Sequence, residues 1–164
     1  MWLSAIFISI AILSRLIPHV PNFSPLVGVA LFAGVYWNKK NGFLLPLAMY
    51  IISDLIIGLH NTVLFTWSSI VIIYALGVYL RKHKSVTTTV AYTFISAVIF
   101  FIISNFGVWL MGWYPRTMAG LVQCFYLALP FFRMSLLADF VYVAVLFGAY
   151  EFFLAKHVLA RESL

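Results

Sequence analysis

The sequence predicts an all-α integral membrane protein: one transmembrane domain, residues 1–164, of six helices with both termini in the cytoplasm. Three observations predict it. The 164 residues are 65% hydrophobic and only 9% charged, with a mean hydropathy of +1.08. A soluble domain carries about 25% charged residues, so this chain cannot cover its surface with polar groups and its solvent is lipid. Six apolar stretches follow one another, approximately 2–17, 24–37, 43–59, 64–80, 88–112 and 132–155. Finally, most basic residues fall in alternate connections between them.

The stretches are continuous and do not alternate, which favours helices over a barrel. A span needs about 20 apolar residues, fewer where the bilayer thins or the ends snorkel. The first stretch lacks the basic start and small-residue cleavage site of a signal peptide, so it is expected to remain as a membrane helix. It carries Ala5 and Ser9, a small-xxx-small pair that lets another helix approach closely. "PHVPNFSP" at 18–25 follows as the first outer loop, stiffened by three prolines. The second stretch repeats the small-residue spacing with Ala30 and Gly34. The third carries Asp54 in its middle to outer part and leads into "GLHNT" at 58–62. The fifth carries Asn105 in its outer half and the sixth carries Asp139. Between these two lies the longest outer connection, loop 5, from Gly112 to Phe131. It is apolar enough to lie in the interface as a short helix or re-entrant segment.

Charge sets the orientation. Lys39 and Lys40 follow the second stretch, Arg81, Lys82 and Lys84 the fourth, and Lys156 and Arg161 the sixth. With six spans these seven basic residues share one side, which the positive-inside rule makes cytoplasmic. Arg15, Arg116 and Arg133 lie near the outer ends. The expected location is the bacterial cytoplasmic (inner) membrane, with multiple passes.

Several function classes fall away. The net charge of +6 lies in short clusters with no groove-sized patch, so no nucleic-acid partner is expected. The single Cys124 excludes an internal disulfide and a multi-cysteine metal site. The chain has no nucleophile–base signature, phosphate-cradling loop or zinc motif, so neither cofactor nor metal is expected.

What remains is an outer end furnished with polar groups. Its three connections would gather Arg15, His19, Asn22, His60, Asn61, Tyr114, Arg116, Gln123 and Cys124. An apolar, aromatic loop over polar helix ends has the make-up of a lidded pocket, mostly apolar with a few orienting polar groups. The candidate substrate-binding residues are Arg15, His19, Asn22, Asp54, Asn105, Trp109, Tyr114, Cys124 and Phe131. Arg15 would neutralise an anionic group, Asn22 and Asn105 would hydrogen-bond, and Trp109, Tyr114 and Phe131 would stack. Each has a plainer reading. Tyr114 can be an interfacial anchor, Trp109 a packing residue, Asn105 an interhelical hydrogen-bonder and Cys124 a small buried apolar group. Asp54 and Asp139 can sit in buried ion pairs with Arg15 or Arg133.

Six stretches, "SRLIPHVPNFSP", "ALFAGVYW", "ISDLIIG", "SNFGVWL", the tyrosine of "WYPRT" and "ALPFF", resemble an uncharacterised bacterial six-helix membrane family. That family is related to the substrate-binding S components of energy-coupling factor (ECF) vitamin transporters. The resemblance runs to about residue 153. It implies capture of a scarce vitamin-like nutrient from outside in a pocket under loops 1, 3 and 5. The S component then topples against an energy-coupling transmembrane protein driven by two ATPases. Ala5 and Ser9 match the position of the small-residue motif that meets that partner. Two other readings stay open: a small membrane enzyme acting on a lipid or isoprenoid head group, with His19 or Asp54 as acid or base, and a scaffold subunit of a membrane complex.

Overall fold

A computed structural model describes residues 2–17, 20–37 and 41–162. Among them are six α-helices and no strand: α1 (Trp2–Leu13), α2 (Leu26–Tyr36), α3 (Leu44–Ile57), α4 (Val63–Leu80), α5 (Val86–Leu110) and α6 (Met118–Glu162). Short 3-10 turns, Ser14–Leu16 and Arg81–His83, extend α1 and α4. Three segments are long and apolar enough to cross a membrane: Val63–His83, Val86–Leu110 and Met118–Ala155. The first three helices are equally apolar but shorter, at 12, 11 and 14 residues.

The centre of the bundle is α2. Every residue from Leu26 to Val35 is buried, as expected of a helix with no polar face. Glycines let its neighbours reach the backbone. A Cβ on Gly34 would lie 2.2 Å from the Tyr74 carbonyl oxygen, and one on Gly77 would lie 2.4 Å from the Leu31 carbonyl oxygen. The small residue at 34 therefore serves α2–α4 packing within the chain. Two residues before Gly34, Phe32 packs among Phe7, Tyr36, Phe147 and Tyr150, joining α1, α2 and α6.

Local chemistry places the breaks. Ser85 and Thr88 form a reciprocal capping box at the start of α5. Gly112, at φ 85°, ends α5 while Trp113 N–H donates back to the Val108 carbonyl, a Schellman closure. Gly58, at φ 119°, ends α3. The Thr117 hydroxyl accepts from Gly120 N–H at 3.1 Å and caps α6.

That cap corrects one expectation. The expected long loop 5 is mostly helix: only Met111–Thr117 are non-helical, and the rest joins the sixth apolar stretch in one helix of 45 residues. "MAGLVQCFYLAL" is rich in helix formers. Pro130 inside the helix removes a single N–H bond, which is not enough to divide it. Cys124 and Phe131 therefore sit on α6.

Two ends of the bundle can be told apart. At one, Lys84 and the Tyr36 hydroxyl both donate to the Glu151 carboxylate, clasping the end of α2, the start of α5 and the late part of α6. At the other, Arg15 meets α3.

Candidate functional site

The turn Ser14–Leu16 carries Arg15 onto the last turns of α3. Its Nη1 donates to Asp54 Oδ1 at 2.5 Å and to Ser53 Oγ at 2.7 Å. Trp67 Nε1, from α4, donates to the other carboxylate oxygen at 2.8 Å. The guanidinium lies 5.4 Å above the centre of the Tyr50 ring. Asp54 is buried, and a charge there is tolerated only when paired and hydrogen-bonded. Three elements supply what Asp54 needs. Beneath it the Tyr50 hydroxyl is buried with no hydrogen-bond partner among the described residues. Arg15, Asp139, Asp54 and Tyr142 act on it electrostatically.

Next to this cluster α5 and α6 part to leave a cavity of about 260 Å³. From α5 it takes Ala97, Phe100, Phe101, Ser104 and Asn105; from α6, Ala128, Phe131, Phe132, Ser135 and Asp139. Both sets recur at three- and four-residue steps, so each forms one face of its helix. Asn22, from the first connection, completes the wall. Its left-handed backbone, φ 63°, is one that asparagine tolerates better than most residues. Phe23 packs on Tyr142 at 5.7 Å, which ties this connection to α6.

The polar groups in the cavity are unevenly satisfied. Ser104 donates to the Phe100 carbonyl at 2.7 Å, and Asn105 Nδ2 donates to the Phe101 carbonyl at 2.8 Å. Asp139 is 3% exposed. Its carboxylate makes no hydrogen bond or ion pair among the described residues.

Of the residues singled out from the sequence, Asn22, Asn105 and Phe131 come together in this cavity. Arg15 and Asp54 pair with each other beside it. The rest do not join. Trp109 Nε1 donates to the Pro115 carbonyl at 3.0 Å, and Arg116 donates to the Leu110 carbonyl at 3.0 Å, so both fasten the turn after α5. Tyr114 lies half-buried on that turn. Cys124 is buried with its Sγ 3.4 Å from the Asn105 carbonyl. His19 lies outside the described residues. His60 is exposed and bonded to Thr62 Oγ1. Arg133 is exposed and does not pair with Asp139. Ala5 and Ser9 are half-buried, between the packed stripe of Ser4, Ile8 and Ile12 and the open stripe of Ile6, Ile10 and Leu13.

The residues missed from the sequence are Ser104, Ser135, Phe100, Phe101 and Phe132, and Asp139 as a cavity group. The signal was present: Phe131, Ser135 and Asp139 follow at four-residue steps, as do Ala97, Phe101 and Asn105.

A second, larger hollow of about 610 Å³ opens between the same two helices at the clasped end, with Lys84, Thr89, Phe140, Phe147 and Glu151 among its walls. The seam between α5 and α6 is thus loosely filled at both ends, with Thr93, Ala97, Asp139 and Val143 on its middle.

Over residues 1–161 the chain matches a family of unknown function (DUF6580), and it belongs to that family. No curated protein and no solved structure matches it.

Proposed function

We propose that this family member is a six-span solute-binding component of the bacterial cytoplasmic membrane, holding a vitamin-sized micronutrient for uptake in the cavity between α5 and α6. One observation carries the reading: Asn22, Asn105 and a buried Asp139, which has no hydrogen bond or ion pair among the described residues, converge from three segments on a space that the chain's own side chains leave open. A bundle built only for packing would fill or pair such groups. The resemblance of the sequence to ECF S components supports the uptake role. The topology has support from the clasp, which gathers the end of α2, the start of α5 and late α6 at the end where the basic connections lie. On this orientation the Arg15 end faces outward. The open stripe of Ile6, Ile10 and Leu13, beside Ala5 and Ser9, would be available to an energy-coupling transmembrane partner.

Binding is favoured over head-group chemistry because Asp54 is occupied. Both its oxygens are held, one by Arg15 and one by Trp67, which suits a structural carboxylate and not an acid–base group. The test is mass spectrometry of small molecules that co-purify with the detergent-extracted protein. A compound retained by the native chain and lost from Asp139→Ala and Asn105→Ala variants is the expected result. Native and variant preparations with identical small-molecule content would refute the reading.

A further inference from the structure

We infer that the α5–α6 cavity takes an organic cation: a charged nitrogen on a compact apolar or aromatic body. The inference rests on the binding role proposed above and adds the chemical class. The cavity walls hold one carboxylate, Asp139, and no basic side chain. Arg15, the nearest candidate for an anion, is already engaged by Asp54 and Ser53. An anionic ligand would lie against the Asp139 carboxyl in a medium of low dielectric, where the walls offer no basic side chain to hold it. A neutral ligand would bring the carboxyl no countercharge, and among the described residues it has none.

A cation removes the mismatch and also suits the walls. Phe100, Phe101, Phe131 and Phe132 all border the cavity. Ring faces attract a cation placed within about 6 Å of their centres. Ser104, Asn105, Ser135 and Asn22 add hydroxyl and amide oxygens. Size argues for an organic ion. At about 30 Å³ per water molecule, a cavity of about 260 Å³ holds roughly nine water-sized groups. A bare metal ion would leave most of it empty and rest against hydrocarbon rings.

The experiment is isothermal titration of the purified full-length protein in detergent with three probes of similar size: benzyltrimethylammonium, benzyl alcohol and phenylacetate. Benzyltrimethylammonium should bind at least about tenfold more tightly than phenylacetate. Asp139→Asn should abolish that preference, with a native-like circular-dichroism spectrum and elution volume in the same detergent as the check that the variant is folded. Phe131→Ala, at an exposed edge of the cavity, should weaken the cation about two- to fivefold. Equal or tighter binding of phenylacetate, or a cation preference that survives Asp139→Asn, overturns the cation assignment and leaves the binding role standing. Competition by sodium or potassium ions at equal concentration overturns the organic part of it. If none of the three probes binds, the cation assignment fails. The binding role fails with it only if the co-purification test is also negative.

Discussion

Arg15→Ala should be among the most damaging single substitutions in the chain, and for a reason unrelated to ligand. The change leaves Asp54, whose side chain is only 1% exposed, with the Trp67 N–H as its remaining partner. Removing one member of a buried ion pair costs about 3–5 kcal/mol, because the surviving charge stays out of water uncompensated. For a chain of this size that corresponds to a fall of roughly 10 °C in the unfolding midpoint. The double variant Arg15→Met/Asp54→Asn removes both charges, keeps the methylene packing over Tyr50, and leaves a side-chain amide oxygen at position 54 to accept from Trp67. Replacing both members of a buried pair is close to neutral, so the double variant should recover most of the lost stability. Thermal unfolding of the native chain, Arg15→Met, Asp54→Asn and the double variant in one detergent, followed by tryptophan fluorescence, closes the cycle, with a coupling energy of about 2–3 kcal/mol expected. Additive losses would show that the pair is not a unit. A double variant that regains stability yet binds no ligand would return Arg15 to the ligand-contacting role that the sequence alone suggested.

The remaining predictions use other features. Gly34→Ala places a methyl group against the α4 backbone and should destabilise by at least about 1–3 kcal/mol in the same unfolding assay. Gly148→Ala, with open space around the new atom, should be neutral or gain up to about 1 kcal/mol; the reverse ranking would contradict the packing. Thr117→Ala removes the α6 cap and should cost about 1 kcal/mol. Native Cys124 should react with a maleimide only after unfolding, since its thiol is buried; rapid labelling of the folded protein would contradict its place between α5 and α6. In a Cys124→Ala background, exposed positions test the orientation: Leu59→Cys should label on intact cells with an impermeant maleimide, and Val86→Cys should not. The opposite pattern inverts the bundle.

The helices were readable because each is bounded by chemistry that acts locally. The first five lie within a few residues of their apolar stretches, with stops at Gly58 and Gly112 and a start at Ser85 that any chain would obey. The sixth begins 14 residues ahead of its apolar stretch at 132–155 and runs through Pro130. A proline costs a helix one bond and some strain, and the apolar surroundings of α6 make any other satisfaction of its neighbours' backbone groups more costly. The site was half readable for a different reason. Asn22, Asn105 and Asp54 stand out as polar residues among apolar ones, but pairing decides their roles. Nothing in the one-dimensional pattern says that Arg15 faces Asp54 while Asp139 faces a space. Trp109 stands one turn above Asn105, and its N–H reaches 6 residues on, to the Pro115 carbonyl, a partner that helical spacing does not reveal.

The position of the cavity follows from a mismatch in helix length. At 1.5 Å per residue the 11 residues of α2 cover about 16 Å and the 25 residues of α5 about 38 Å. A hydrocarbon core is about 30 Å thick. On the proposed topology the central helix therefore ends inside the membrane, and the non-helical chain leading into it, including Asn22, lies at hydrocarbon depth. Irregular backbone survives there only when it is covered by protein or borders a polar cavity. Long α5 and α6 rise past the short helix; Phe23 packs against Tyr142, and Asn22 borders the cavity they leave. The polar groups that border the cavity thus lie where the central helix begins, the depth at which the irregular chain leading into it needs them. Lengthening α2 by one turn, with four alanines inserted after Pro25, should push Asn22 out of the cavity. Ligand binding should then be lost while the clasp between Lys84, Tyr36 and Glu151 at the other end is kept. Retained binding in a folded insertion variant would show that helix length does not set the site.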